Sequence, residues 1–282
     1  MTVIAAIQMA STKDVERNVE LACHGIEEAA SAGAKLVVLP EEFISLLLTL
    51  EEKLQIAEPY LEGPIQQALA HAAKKNNIWL VGGTLPLQTP SKKKVYSSSL
   101  VWNNKGDCVA RYNKIHLFDV TVEQGESYCE SERVLGGDAV CVLDTPFGKM
   151  GVAICYDLRF PELFRLMMLN GVEIMVLPSA FTENTGKAHW EVLLRARAIE
   201  NQCYVVAPDQ VAMRLSGHKT FGHSMIIGPW GNILASATDK PAMITAEIDI
   251  EKLKTIRKQF PAVSHYRPFL MKELAKKSEE VN

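Results

Sequence analysis

The chain reads as one α/β domain in which two sheets pack together with helices on the outside. Three observations predict this. Apolar runs of strand length recur from end to end and alternate with helical patterns. Several runs, at 35–39, 78–85, 150–154 and 172–177, are apolar almost throughout, as strands are when covered on both faces. The strands are also numerous, and a two-sheet layered packing buries so many. No internal repeat, linker or low-complexity segment divides the 282 residues. The expected domain spans 1–272, with a polar, fraying tail over 273–282.

The elements follow in order. Residues 3–9 form a strand. Ser11 and Asp14 resemble a capping box, and Val15, Val19, Ala22 and Ile26 make the apolar face of a helix that ends at Gly33. A strand over 35–39 stops at Pro40. Residues 47–60 are weakly patterned. A helix covers 64–75 and a strand 78–85, where Gly82-Gly83 permits a bulge or a close backbone approach. A charged hairpin tip at 91–94 leads to strands at 95–103 and 108–114, joined by a turn at Asn104-Lys105-Gly106-Asp107. The polar connection 118–137 is long for a compact domain, which points to function. Strands follow at 139–143, 150–154 and 172–177. Pro161 sits where a helix accepts proline, and Leu163, Leu166, Met167 and Asn170 follow at helical spacing. A helix over 187–201, strands at 204–207, 224–227, 233–236 and 244–248, and a short closing helix complete the chain.

Composition narrows the function. Net charge is −3 with both signs interspersed, so neither nucleic acid nor an anionic membrane is an expected partner. No apolar run reaches the length of a bilayer span, and the N-terminus reads as a first strand rather than a signal peptide, which points to a cytoplasmic protein. The six cysteines form no C-x-x-C pair and no disulfide framework. There is no metal-ligand spacing, P-loop or dinucleotide fingerprint, so no metal and no cofactor are expected. The segment Gly222-His223-Ser224-Met225-Ile226 lacks the last glycine of a serine nucleophile elbow.

Four places combine a reactive side chain with a strand end or a polar loop. Glu41 follows the strand at 35–39, Lys114 ends the strand at 108–114, and Cys155 ends the strand at 150–154. Glu130 lies in the long loop. Active sites of α/β proteins gather at strand ends. Each residue has an ordinary reading as well: a helix N-terminal acid, a surface charge, a small buried hydrophobe, a solvated acidic loop. A cysteine between a strand end and a helix start is expected to have a lowered pKa, because unpaired N–H groups favour the thiolate.

The segments LPEEF, RYNKIHLFD, CESE and GVAICYDLRFPE resemble, in order and spacing, the motifs of the nitrilase superfamily of carbon–nitrogen hydrolases. The resemblance runs from the first strand to the Arg267-Pro268 region. It implies a four-layer αββα sandwich holding a Glu-Lys-Cys triad at Glu41, Lys114 and Cys155, with a second glutamate at Glu130. Glu42 takes no role in that correspondence. The implied chemistry is attack by the thiolate on an amide carbon, with Lys114 and the backbone N–H of Tyr156 stabilising the oxyanion. Glu41 is the general base, and a thioester precedes release of acid and ammonia. Arg159 is either a binder of a substrate carboxylate or a salt-bridge partner of Asp157 or Glu162, and Phe181 and Thr182 are expected to line the pocket. The runs PSAFTENTGKAHWEVLLRARAIENQCYVVAPDQ and FGHSMIIGPWG are similar to the branch that hydrolyses deaminated glutathione. The ω-amidase branch, acting on α-ketoglutaramate, shares much of that pattern. Other nitrile, carbamoyl or ω-amide chemistry, or a non-catalytic interaction protein on this scaffold, are the competing readings. The resemblance also implies a homodimer or higher homo-oligomer, with 163–168 and the helix bearing Trp190 as interface candidates.

Overall fold

The computed structural model describes residues 1–91, 93–121 and 127–267. The proposed tail, and part of the long polar connection, lie outside them. In chain order, the first half contains β1 (Thr2–Gln8), α1 (Val15–Ser31), β2 (Leu36–Val38), α2 (Leu50–Ile56), α3 (Pro64–Lys75), β3 (Trp79–Val81), β4 (Leu85–Gln88), β5 (Val95–Trp102) and β6 (Cys108–Asn113). Two short strands, β7 (Asp119–Thr121) and β8 (Ser127–Cys129), pair with each other. The second half contains β9 (Cys141–Thr145), β10 (Gly148–Val152), α4 (Pro161–Leu169), β11 (Ile174–Val176), α5 (Glu183–Asn201), β12 (Tyr204–Ala207), β13 (Met225–Ile227), β14 (Ile233–Ser236), β15 (Ala242–Ile248) and α6 (Ile250–Gln259).

The strands make two large sheets. One runs β15-β1-β2-β3-β5-β4, with β6 on the other edge of β5; the second runs β14-β13-β12-β11-β10-β9. β1, β2 and β3 are mutually parallel, as are β10, β11 and β12. Side-chain alternation then sets the layers. On β1, Ile4 and Ala6 join the core between the sheets, while Ala5 and Ile7 pack against α1 and α3. On the far side, Phe164 and Met167 of α4 and Trp190, Leu194 and Ala198 of α5 cover the second sheet. The order helix, sheet, sheet, helix is the αββα sandwich expected from the sequence.

The differences from expectation are local. The weakly patterned stretch contains α2, held by a capping box between Thr49 and Glu52; none of its residues is buried, so it carries no apolar stripe to read. The cap of α1 is Asp14, which accepts from Arg17 N at 2.9 Å, whereas Ser11 donates to the Phe43 carbonyl at 2.7 Å. The run 78–85 splits into β3 and β4 at the glycine pair. There Gly83, at φ +60°, lies so close to Pro40 that a Cβ would stand 2.1 Å from its carbonyl oxygen. The run 150–154 is strand only to Val152, and α5 begins at Glu183, four residues before the predicted start. The interface candidates Leu163, Phe164, Met167, Met168 and Trp190 are buried in the chain's own core.

Candidate active site

Three strand ends deliver the site. Glu41 follows β2, Lys114 follows β6 and Cys155 follows β10, all on the rim where the parallel strands finish. Cys155 opens a short 3-10 turn, Cys155–Arg159, that precedes α4. Its φ is +44°, in the left-handed region that costs a non-glycine residue on the order of 1–3 kcal/mol. The bend is held from both sides. The Cys155 N–H donates to the Pro178 carbonyl at 2.9 Å, and the Ile154 N–H donates to Asp157 Oδ2 at 2.8 Å.

The four predicted residues meet. Lys114 Nζ lies 2.8 Å from Glu41 Oε1 and 2.9 Å from Glu130 Oε2, and both Glu41 and Lys114 act electrostatically on the Cys155 thiol beside them. Glu41, Lys114 and Cys155 are buried. Glu130 is fixed by a second bond, from the Phe118 N–H to Oε2 at 2.7 Å. Burial opposes the charge on Lys114, but Glu130 and Glu41 outweigh it and hold the ammonium well above its ordinary range. Burial raises the Glu41 carboxyl despite the lysine beside it. The thiol is also raised. Burial is the main cause and Glu41 adds to it, against the opposing pull of Lys114 and the Ala180 backbone N–H. This overturns the expectation of a lowered thiol pKa. A one-turn 3-10 segment supplies little dipole, and the pocket removes water that would solvate the thiolate.

The adjacent acids are cleanly divided. Glu42, at φ +52°, turns away from Lys114 and pairs with Lys53 and, at 3.4 Å, with Arg214. Burial opposes its ionisation, yet these two cations prevail and lower its pKa to about 2.

Arg159 forms no ion pair with Asp157 or Glu162. Its Nη1 lies 3.2 Å from His189 Nδ1, and its guanidinium stands 5.4 Å from the Phe181 ring centroid and 5.8 Å from that of Tyr156. The salt-bridge reading therefore falls, and the arginine keeps its carboxylate-binding capacity. Phe181 is buried against Trp190, 4.7 Å between centroids, with its N–H donating to Asp209 Oδ1 at 2.8 Å. Thr182 is buried too; its hydroxyl bonds that of Thr185 at 2.7 Å rather than capping α5.

Two supporting groups were not singled out from the sequence. Asp157 is fully buried and accepts four hydrogen bonds: from the Tyr112 hydroxyl and the Ile154 N–H on Oδ2, and from the N–H and Nδ1 of His116 on Oδ1. Tyr112 and His116 flank Lys114, so one carboxylate ties the lysine segment to the cysteine bend. The alternation Tyr112-x-Lys114-x-His116 was the available signal. Gln210, after β12, donates to the Glu41 carbonyl at 3.0 Å and to Ser11 Oγ at 2.8 Å. Among the described residues, no group of three His, Cys, Asp or Glu side chains is gathered as a metal ion requires.

The family model for carbon–nitrogen hydrolases matches residues 3–258. The deaminated glutathione amidase of Bos taurus is 40% identical over 274 residues, covering 96% of this chain and 83% of the bovine one. The crystal structure of the Caenorhabditis elegans NitFhit protein superposes with a TM-score of 0.89 at 39% identity; 95% of this chain is covered, and the chain spans 66% of that longer protein. Saccharomyces cerevisiae Nit3, a member of branch 10 of the nitrilase superfamily, has a TM-score of 0.81 at 36% identity, covering 92% of this chain and 94% of its own. Likeness in sequence and in fold thus extends over nearly the whole length and includes every strand end that carries the clustered side chains, and the chain belongs to the carbon–nitrogen hydrolase family of the nitrilase superfamily.

Proposed function

We propose that this protein is a thiol amidohydrolase acting on a small carboxylate-bearing amide, with deaminated glutathione as its substrate. The observation that carries the reading is the buried contact of Lys114 with Glu41 and Glu130, set against a thiol that Glu41 can deprotonate. Because the resting thiol is held protonated, the first step needs a base at hydrogen-bond reach, and Glu41 is that group. The thiolate attacks the amide carbon. Lys114 and the Tyr156 N–H stabilise the oxyanion, and Glu130 keeps the lysine aimed. Glu41 returns its proton to the departing nitrogen, and the C–N bond breaks to leave a thioester on Cys155. Glu41 then activates water to hydrolyse it. For a γ-amide with a peptide tail, the leaving group is the amine of that peptide; ammonia is the product only of a primary amide. The expected release of ammonia is corrected accordingly for this substrate.

Arg159, which has no carboxylate partner among the described residues, takes the substrate's α-keto acid end, and Phe181 and Thr182 shape the wall beside it. The reading includes a cytoplasmic homodimer. The exposed apolar residues Leu166 and Leu169 of α4, and Val192 and Ile199 of α5, support association through these helices. Among the described residues no helix is long and apolar enough to cross a membrane.

The test is an assay of purified protein with deaminated glutathione and with α-ketoglutaramate. The expected result is hydrolysis of both, with the higher kcat/KM for the former, and loss of turnover in Cys155→Ala with the fold retained. Full activity in that variant refutes the scheme. Preference for α-ketoglutaramate transfers the assignment to ω-amidase chemistry, and carbon dioxide release indicates a carbamoyl substrate. No turnover of any amide or carbamoyl compound supports the interaction-protein reading.

A further inference from the structure

The rim beside Cys155 holds more positive charge than the Glu41-Lys114-Glu130 cluster uses. Among the described residues, Lys114 pairs with Glu41 and Glu130, Lys53 and Arg214 share Glu42, and Arg159 meets the rings of His189, Tyr156 and Phe181 but no carboxylate. Asp209 lies in the same corner: burial raises its carboxyl above the ordinary range against the pull of Arg214, and its Oδ2 has no donor among the described residues. Arg159 stands on the aromatic side of the nucleophile. Lys53 and Arg214 stand on the Glu41 side, in separate loops that converge there.

Arg214 is one peptide away from the thiol. Its Nη2 donates to the Ala180 carbonyl at 2.6 Å, and the N–H of the same residue favours the Cys155 thiolate. The arginine rides on a short hairpin, closed by its own N–H donating to the His218 carbonyl at 2.8 Å and by the Met213–Lys219 bridge. Donors exceed acceptors in this corner. Glu42 takes one bond from Lys53 and a long one, 3.4 Å, from Arg214. Among the described residues the Arg214 Nε is buried with no acceptor, and the Lys53 ammonium, with three N–H groups, meets one carboxylate. An unpaired buried donor and a surplus cation describe a place prepared for one more anion.

We propose that Lys53 and Arg214 form a second anion subsite, which takes a carboxylate carried on the leaving amine of the substrate. This rests on the amidase reading and sharpens it. The preferred substrates are then dianions, with one carboxylate on the acyl side held by Arg159 and one on the amine side held by Lys53 and Arg214. Deaminated glutathione has that form, since its peptide tail ends in a carboxylate. α-Ketoglutaramate has no carboxylate on its leaving group.

The experiment compares kcat/KM for deaminated glutathione and for its C-terminal carboxamide, which differ only in the charge at the tail. The ratio within each protein is read, so a general loss of activity does not enter. The wild type is expected to favour the free acid by about tenfold or more, the scale of a charge-assisted hydrogen bond. Raising the salt concentration is expected to lower that ratio. Lys53→Met and Arg214→Gln are each expected to bring it below about threefold, and Arg214→Lys to preserve most of it. Arg214 also braces Ala180, so Lys53→Met, which removes the ammonium paired with Glu42, decides the matter if Arg214→Gln is inactive. A wild-type ratio near one, or an unchanged ratio in Lys53→Met, overturns the subsite while leaving the amidase reading intact. Turnover of neither compound, with hydrolysis of an unrelated amide, overturns the substrate reading and the subsite together.

Discussion

Asp157→Asn tests whether one carboxylate couples the lysine to the nucleophile. Asp157 has no solvent exposure and meets only donors: the Tyr112 hydroxyl at 2.8 Å, the Ile154 N–H at 2.8 Å, and the N–H and Nδ1 of His116 at 3.1 and 2.7 Å. An amide replaces one of the two acceptor oxygens with an NH2 group. Whichever way it turns, that group faces backbone N–H on one side. Tautomer exchange at His116 can rescue the ring contact but not the His116 N–H. One or two buried donors therefore lose their acceptor, at about 1–3 kcal/mol each, so the variant should be destabilised by about 2–4 kcal/mol. Urea unfolding followed by fluorescence and circular dichroism reads this as a lower midpoint at unchanged slope. Tyr112→Phe, which removes one of four donors and leaves the carboxylate paired, should cost about 1 kcal/mol. The coupling has a second readout: Asp157→Asn should lower kcat more than it raises KM, because Lys114 loses its fixed distance from the thiol. A stability loss below about 1 kcal/mol, or wild-type kcat, refutes the coupling.

Two further outcomes follow from the electrostatics. The raised Cys155 thiol should react with iodoacetamide more slowly at pH 7 than a free cysteine. The rate should climb about tenfold per pH unit past the ordinary thiol range; mass spectrometry against Cys155→Ala isolates this site, and a plateau below pH 8 contradicts the burial argument. Glu42 is held at about pKa 2, below its unfolded value near 4.5, so its contribution is present above pH 4.5 and is lost as pH falls toward 2. The difference in unfolding free energy between wild type and Glu42→Gln should shrink by on the order of 3 kcal/mol across that window. A difference that does not vary with pH there excludes the ion pairs as its source.

The correspondence between sequence and structure follows the range of the interactions involved. α3 and the strands β12 and β14 lie where period and composition put them, because their pattern is local and their caps, such as Gly63 before Pro64, are written in adjacent residues. The helix α2 was invisible, since its stability comes from a cap and not from a buried stripe. In the same way the candidate residues Glu41, Lys114, Glu130 and Cys155 were legible as strand-end chemistry and as a family pattern, while the carboxylate bracing them was not. Asp157 lies 41 and 45 residues from His116 and Tyr112, the partners that join it to the lysine segment, and no periodicity spans such a gap.

By itself the sequence determined the layered α/β class, the strand ends that carry reactive side chains, and the family. Tertiary structure alone decided which of two neighbouring glutamates faces the lysine, because a backbone at φ +52° sends Glu42 the other way. It also decided the protonation of the nucleophile: a thiol's pKa follows from the water removed around it and from charges brought across space, and neither is recorded in the order of the residues.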